Sequence, residues 1–444
     1  MDRPTVLTIA GSDSGGGAGI QADLKTIEAG GGFGTSAITS VTAQHTRGVT
    51  STHPVPVPEI EAQIDAVEAD FDVRAVKTGM LGTAAVVKAV AGRAAEWDRP
   101  LVVDPVMVAA SGDRLLEPAG EDAYGELLAE ATVVTPNADE AAVLTGVEVV
   151  DERSMRAAGR ALVDAGAEWA LVKGGHVDDD GVVRDVLVGP DGARVIDHPR
   201  VDTDATHGSG CTLSSAVATR LAQGVAPADA VEFGVEFVAR AVRYSLDVGK
   251  GPGMVHHLAA IRERAARQPT GEAVEGVVDR LVAADARDLV PEVGTNVVGA
   301  TPFAESADEC VAVEGRITRT VSGIRPNLGT RFGASSHVAR FLLSAREHDP
   351  ELRFAANVRF DDRIESALSE LDAPAVEIDR SAEPSPDEEG STMGWAAGHA
   401  FGAAEATPAA VYDRGDVGKE AMTRLLAPDP ETLTRRVLDL LEEK

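Results

Sequence analysis

Short apolar segments alternate with segments of helical spacing through the first part of the 444-residue chain. The apolar segments end at glycine or polar residues and lie at positions 6–10, 73–77, 101–106, 133–136 and 170–173. The helical segments between them include residues 59–68, 84–97 and 154–165. Such alternation is typical of parallel β-α units, which place functional residues just beyond the carboxyl ends of the strands. We therefore predict an α/β fold.

The segment 204–211 precedes an apolar run of helical spacing at residues 212–221. Its small residues, Gly208 and Gly210 among them, leave backbone N–H groups bare at a helix start, and such a start attracts anions, phosphate above all. Cys211 is the first side chain after these glycines, and a thiol at a helix N-terminus loses its proton more easily than a free thiol. We interpret the segment as a phosphate cradle with Cys211 as the base toward an accepting hydroxyl. The alternative is a plain glycine-rich turn with a small buried cysteine.

The length of the chain favours two domains, and its composition excludes several classes of partner. The formal net charge of −31 at pH 7 repels nucleic acids and anionic membranes. We interpret it as the acidic coat of a protein from a very salty, halophilic cytoplasm. No apolar run approaches the roughly 20 residues of a spanning helix, and no signal peptide is evident. Two distant cysteines, Cys211 and Cys310, predict no disulfide framework. We expect a cytoplasmic protein.

Several motifs follow one another in a fixed order along the first half of the chain. They occupy residues 10–13, 19–25, 42–46, 77–81, 104–107, 135–137 with Glu140, 173–176 and 206–211. In this order they resemble the bifunctional hydroxymethylpyrimidine/phosphomethylpyrimidine kinases of thiamine biosynthesis, which have a ribokinase-like αβα fold. The resemblance implies a kinase domain over residues 1–262, with ATP and Mg²⁺ as cofactors. It also implies a homodimer formed through this domain.

The resemblance implies that Gly11, Asp23, Gln44, Met80 and Val106 form the pocket for the aminopyrimidine alcohol and its phosphate. The carboxylate of Asp23 and the amide of Gln44 suit the amino group and ring nitrogen of that substrate. For Asp23 the alternative is an acidic residue favoured by the dipole in the first helical turn. For Met80 the alternative is a core side chain.

The resemblance also implies a nucleotide site. It places Asn137 and Glu140 beside Mg²⁺ and the phosphates, with Glu140 reaching the metal through water, because Mg²⁺ keeps much of its hydration. The alternative is a simple helix cap. Lys173 would lie near the phosphates, or else face solvent.

The second half of the chain contains ordered segments at residues 293–300, 310–317 and 332–340. Behind an expected linker at residues 263–274, residues 275–444 resemble the archaeal-type thiamine phosphate synthase, whose fold is similar to the class II aldolase-like αβα layers. The resemblance implies condensation of the pyrimidine diphosphate with a thiazole phosphate, with release of pyrophosphate. Arg316 would clamp diphosphate oxygens and His337 would donate a proton or hydrogen bond. The alternatives are a surface arginine and a satisfied polar histidine.

Two other functions stay open at this point. The second half could be a non-catalytic domain that senses thiamine phosphate, although it has both Arg316 and His337. The first half could be a kinase for a related ring such as pyridoxal.

Overall fold

The computed structural model describes residues 3–108, 115–175, 181–380, 391–416 and 418–441. The chain divides into two compact units, Met1–Ile261 and Arg262–Lys444. Each unit has its own β-sheet. None of the helices within the described ranges combines the length and apolar character that crossing a membrane requires.

The first unit contains ten strands and eight helices within the described residues. The strands are β1 (Thr5–Ala10), β2 (Phe33–Ile38), β3 (Ser40–His45), β4 (Gly48–Pro54), β5 (Val73–Thr78), β6 (Leu101–Val103), β7 (Val133–Val134), β8 (Trp169–Val172), β9 (Val182–Gly189) and β10 (Gly192–Pro199). The helices are α1 (Gly19–Ala29), α2 (Val57–Asp70), α3 (Ala84–Ala94), α4 (Pro118–Leu128), α5 (Ala138–Thr145), α6 (Glu152–Asp164), α7 (Ser209–Ala222) and α8 (Pro227–Arg243).

Eight of these strands form one sheet in the order β10-β9-β8-β7-β6-β5-β1-β2. The six strands from β8 to β2 in this order are parallel, whereas β9 pairs antiparallel with both β8 and β10. The remaining two strands, β3 and β4, form a separate hairpin. The predicted parallel β-α architecture is therefore confirmed.

Strand β1 shows why the apolar segments become parallel strands. All six of its residues are buried. Leu7 and Ile9 belong to the hydrophobic core on one face of the sheet, and Val6 belongs to the core on the other. A strand covered by helices on both faces needs apolar side chains on both, so its sequence does not alternate.

The second unit contains nine strands: β11 (Val297–Ala300), β12 (Cys310–Val313), β13 (Ile317–Thr320), β14 (Gly323–Pro326), β15 (Thr330–Phe332), β16 (Phe354–Arg359), β17 (Ala375–Glu377), β18 (Ala410–Asp413) and β19 (Met422–Ala427). Its helices after α9 (Ala259–Ala283) are α10 (His337–His348), α11 (Asp362–Leu368), α12 (Ser391–Ala403) and α13 (Pro430–Asp439). These counts refer to the described residues.

The sheet of the second unit has the order β15-β12-β11-β16-β19-β18-β17, and β13 with β14 forms a hairpin. Only the pair of β17 and β18 is parallel among the described strands of this sheet. Hydrophobic cores lie on both faces, so the unit is again layered α/β. Its similarity to the class II aldolase-like fold stays a prediction.

The segment expected to link the two domains lies within the second unit. Residues 263–274, expected to be a linker, lie within α9, a helix of 25 residues that includes Pro269. Glu263 and Thr270 are only 3% and 2% exposed. The polar composition of this stretch suggested a linker, but its many alanine, arginine and glutamate residues are good helix formers.

Candidate active site

Helix α7 follows a glycine that no other residue could replace without moving the backbone. Gly208 precedes the helix with φ of +85°, in the left-handed region. A Cβ atom at this position would lie 1.9 Å from the carbonyl oxygen of Gly17. The start of α7 therefore lies directly against the backbone of the glycine-rich loop that follows β1.

The first turn of α7 has backbone donors without acceptors. Ser209 donates its N–H to the carbonyl of Thr206, but no side chain caps the helix and its first turn contains no acidic residue. Within the described part of the chain, the N–H groups of Gly210 and Cys211 donate to no acceptor. Bare N–H groups at a helix start form an anion site. This geometry agrees with the predicted cradle at Gly208, Gly210 and Cys211.

The protonation of Cys211 differs from the prediction. Burial raises the pKa of its thiol to about 12; the charge of Lys77 opposes this effect, and the carboxylates of Asp23 and Asp104 add to it. The expectation of an easily lost proton was wrong, because burial disfavours the charged thiolate and the two carboxylates add to this effect.

Asp23 lies in a buried ion pair on α1. Its carboxylate is fully buried and accepts hydrogen bonds from Thr8 Oγ1 at 2.6 Å and from Ser215 Oγ at 2.8 Å. Lys77 Nζ lies 2.9 Å and 3.0 Å from its two oxygens. Both oxygens are thus occupied within the protein. The carboxylate is an internal ion-pair partner. Its direct pairing with an aminopyrimidine stays a prediction.

The other four residues of the expected pocket lie at the ends of β-elements. The N–H of Gly11 donates to the carbonyl of Met80 at 3.1 Å, and a Cβ on Gly11 would lie 3.0 Å from Met80 Sδ. Met80 is 8% exposed, whereas Gln44 and Val106 are partly exposed. The hydroxyl of Thr42 donates to Gln44 Oε1 at 3.3 Å. Their contact with substrate stays a prediction.

Asn137 and Glu140 form a helix cap. Asn137 Oδ1 accepts from the N–H of Glu140 and Glu140 Oε2 accepts from the N–H of Asn137, each at 2.8 Å. The capping alternative is therefore confirmed. Burial raises the pKa of Glu140 to about 7; Lys173 lowers this pKa and Asp104 raises it further. The cap thus places a poorly hydrated carboxylate near the ammonium of Lys173.

Lys173 lies behind the first turn of α7. Its Nζ is 3.4 Å from Asp104 Oδ1, and only 17% of its side chain is exposed. A Cβ on Gly210 would lie 3.4 Å from Lys173 Nζ and 3.5 Å from Asp104 Oδ2. The solvent-facing alternative for Lys173 is wrong. The last residue of this motif, His176, lies outside the described residues.

The glycine-rich loop at residues 11–19 folds around its own carboxylate. Asp13 is 1% exposed and accepts from the N–H groups of Gly15, Gly17 and Ala18 at 2.7, 2.9 and 2.8 Å. His207 Nε2 lies 3.2 Å from the same carboxylate. Burial alone would raise the pKa of Asp13, but these hydrogen bonds lower it below its usual range.

The two residues proposed for the second unit are both exposed. Arg316 lies in a turn with φ of +70° and donates to the carbonyl of Val293. His337 is the first residue of α10, and its Nδ1 lies 3.2 Å from Ser336 Oγ. No hydrogen bond or ion pair joins Arg316 to His337 in the described ranges. Among all described residues, no group of three or more His, Cys, Asp or Glu side chains is placed to hold a metal ion.

Comparison with known families decides the identity of the first unit. Residues 13–256, more than half of the chain, match the phosphomethylpyrimidine kinase family. The chain belongs to this family. Residues 273–439 match a second family, thiamine-phosphate synthase ThiN.

Three relatives show the extent of the similarity. The hydroxymethylpyrimidine/phosphomethylpyrimidine kinase of Streptomyces coelicolor is 49% identical over 59% of this chain and 96% of its own length. The thiamine biosynthesis bifunctional protein ThiED of Geobacter sulfurreducens is 44% identical over 59% of this chain and 54% of its own. The pyridoxal kinase of Staphylococcus aureus, solved with AMP-PCP and pyridoxal, is 32% identical with a TM-score of 0.55. It covers 59% of this chain and 96% of its own. The ribokinase-like fold predicted for the first unit is thus confirmed.

Three charged residues of this phosphomethylpyrimidine kinase unit received no role from the sequence. They are Asp13, Lys77 and Asp104. Each lies at or just beyond the carboxyl end of a parallel strand, β1, β5 or β6. That position was a usable signal, because functional residues of such sheets gather there.

Proposed function

We propose that the first unit transfers the γ-phosphoryl group of ATP to the hydroxymethyl group of an aminopyrimidine and then to the resulting monophosphate. The bare N–H groups of Gly210 and Cys211, with Lys173 behind them, carry this proposal. Phosphoryl transfer needs positioning and charge stabilisation more than covalent chemistry. Fixed N–H dipoles and one partly buried ammonium would supply both at the site where negative charge develops.

Cys211 lies beside these donors and would face the accepting hydroxyl. Because burial raises the pKa of its thiol to about 12, only a small fraction is thiolate at neutral pH. Proton transfer through Cys211 then requires turnover to rise with pH, by about tenfold per unit below the pKa. This dependence distinguishes a thiolate base from a thiol that merely fills space.

We propose that Mg²⁺ binds near Glu140 through water. The buried carboxylate fits a nearby cation, because a cation would favour the charged form that burial disfavours. The ion would supply neutralisation of the phosphate charge. Asn137 fixes the carboxylate through the reciprocal cap, and Lys173 holds the phosphate side.

We further propose that the second unit condenses the pyrimidine diphosphate with the thiazole phosphate and releases pyrophosphate. The match of residues 273–439 to the thiamine-phosphate synthase family supports this activity. Arg316 and His337 are exposed and so accessible to an anionic substrate. The alternative is a domain that binds thiamine phosphate without catalysis.

One experiment tests both activities. Full-length protein is incubated with the aminopyrimidine alcohol, ATP, Mg²⁺ and thiazole phosphate, and every intermediate is followed by mass. Accumulation of the pyrimidine diphosphate without thiamine phosphate would refute the synthase and favour the sensing domain. A parallel reaction with pyridoxal tests the substrate named for the S. aureus relative. Sedimentation of the same sample tests the proposed homodimer.

A further inference from the structure

A buried hydrogen bond joins helices α1 and α7 one helical turn after Cys211. Cys211 lies in the first turn of α7, and Ser215 follows it four residues later. Ser215 Oγ donates to Asp23 Oδ1 on α1 at 2.8 Å. Residues four apart lie on the same face of a helix. Asp23 therefore contacts the same face of α7 that carries Cys211, one helical turn further along.

Lys77 on β5 pairs with Asp23. Its side chain is fully buried, and its Nζ donates to both oxygens of Asp23. A Cβ on Gly79 would lie 2.8 Å from this Nζ, so the missing side chain at Gly79 makes room for the ammonium. A buried ion pair contributes little net stability compared with apolar residues of similar volume. Its presence beside the active site therefore suggests a role other than stability.

Four charged side chains from four different elements act electrostatically on the Cys211 thiol. Asp23 comes from α1, Lys77 from β5, Asp104 from the loop after β6, and Lys173 from the position after β8. They form two ion pairs, 23 with 77 and 104 with 173. The charges of each pair cancel, so the sign of the local field at the thiol depends on which member of a pair lies nearer.

We propose that Lys77 is a positioning residue that stabilises the thiolate of Cys211, while Asp23 holds the ammonium in place. The step rests on the kinase function proposed above. The thiolate accepts the proton of the substrate hydroxyl, forming S–H as the O–H bond breaks. The hydroxyl oxygen bonds to the γ-phosphorus as the bond to ADP breaks, and the electron pair leaves with the ADP oxygen. Lys77 keeps its proton throughout.

The test compares two single variants that break the same ion pair from opposite sides. Asp23→Asn leaves an ammonium beside Cys211 without its countercharge, whereas Lys77→Met leaves a carboxylate. Iodoacetamide alkylation of Cys211 is followed by peptide mass at several pH values in the full-length protein. We expect alkylation at pH 8 to be about tenfold faster in Asp23→Asn and about tenfold slower in Lys77→Met, the effect of one pKa unit in each direction.

A purely structural ion pair would give a different result. Loss of either partner would then loosen the site and change alkylation in the same direction. The same direction in both variants, or no change in either, overturns the proposal. Should Lys77→Met fail to fold, the double variant Asp23→Asn/Lys77→Met removes both charges and must be alkylated more slowly than Asp23→Asn. Cys310, 1% exposed, serves as the unreactive internal thiol.

Turnover supplies the second readout. In Lys77→Met we expect the kinase kcat to fall about tenfold, in proportion to the lost thiolate, with the KM for ATP unchanged. Lys88→Met, an exposed lysine of α3, is the matched control and should keep the parental kcat. Alkylation needs no substrate, so a wrong assignment of the substrate would leave the alkylation result intact and change only the turnover result.

Discussion

Replacement of Gly208 by alanine tests whether the start of α7 must lie against the glycine-rich loop. The new Cβ would lie 1.9 Å from the carbonyl oxygen of Gly17, whereas real Cβ atoms stay at least 3.0 Å from such an atom. The two backbones must therefore separate by roughly 1 Å. The left-handed φ of +85° adds strain of about 1–2 kcal/mol for a residue with a side chain.

Gly224 provides the matched control at the other end of the same helix. It has φ of +79°, yet a Cβ there would meet nothing within 4 Å. Gly224→Ala therefore introduces similar backbone strain without the collision. Misplacement of catalytic groups by 1 Å costs up to about 100-fold in rate. We expect the kinase kcat to fall about 100-fold in Gly208→Ala and to stay near the parental value in Gly224→Ala.

The assay is release of ADP with saturating aminopyrimidine, and thermal unfolding is recorded for both variants. Synthesis of thiamine phosphate from supplied pyrimidine diphosphate serves as the control for the second unit and should not change. If Gly208→Ala kept a kcat similar to that of Gly224→Ala, the close approach to Gly17 would have no catalytic importance.

Four further predictions concern single side chains. Burial lowers the pKa of His257 to about 4. As pH falls, the imidazole of the unfolded chain therefore takes up a proton before that of the folded chain does. Up to about 3 kcal/mol of stability is lost as pH falls from 6.5 to 4. His257→Phe should lose less, as urea unfolding at both pH values will show. Lys173→Met should lower the kinase kcat at least about 100-fold in the ADP assay, while Lys88→Met should not. Arg316→Ala should reduce thiamine phosphate formation at least about tenfold with kinase turnover intact. Cys211→Ala should abolish the rise of kinase kcat with pH, whereas a persisting slope would exclude the thiolate base.

Contacts between neighbours in the sequence were predictable. The cap between Asn137 and Glu140 joins residues three apart, so its pattern is legible in the sequence. The apolar run of β1 likewise predicts its own burial on both faces. Position alone also placed Cys211 and Gly208 at the start of a helix, where the structure has them.

Contacts between residues that are distant in the sequence were not predictable. Asp23 appears in the sequence as an acidic residue early in a helix, but its partner Lys77 is 54 positions away. The protonation of Cys211 depends on carboxylates from two other elements, which no local pattern could supply. Sequence reasoning could thus place side chains at the correct sheet edge without giving the charges around them.

The arrangement of glycines next to β1 and α7 explains where an anion can bind. Around residues 11–19, the N–H groups that could hold a phosphate are already bound to the carboxylate of Asp13. Those of Gly210 and Cys211 have no such partner, and Lys173 lies behind them. A chain with a net charge of −31 repels a nucleotide at long range, so capture must depend on local positive sites. Because Asp13 occupies the N–H groups of the competing loop, the bare N–H groups of α7 are the ones left for a phosphoryl group. They lie beside the Cys211 thiol, which we propose as the proton acceptor.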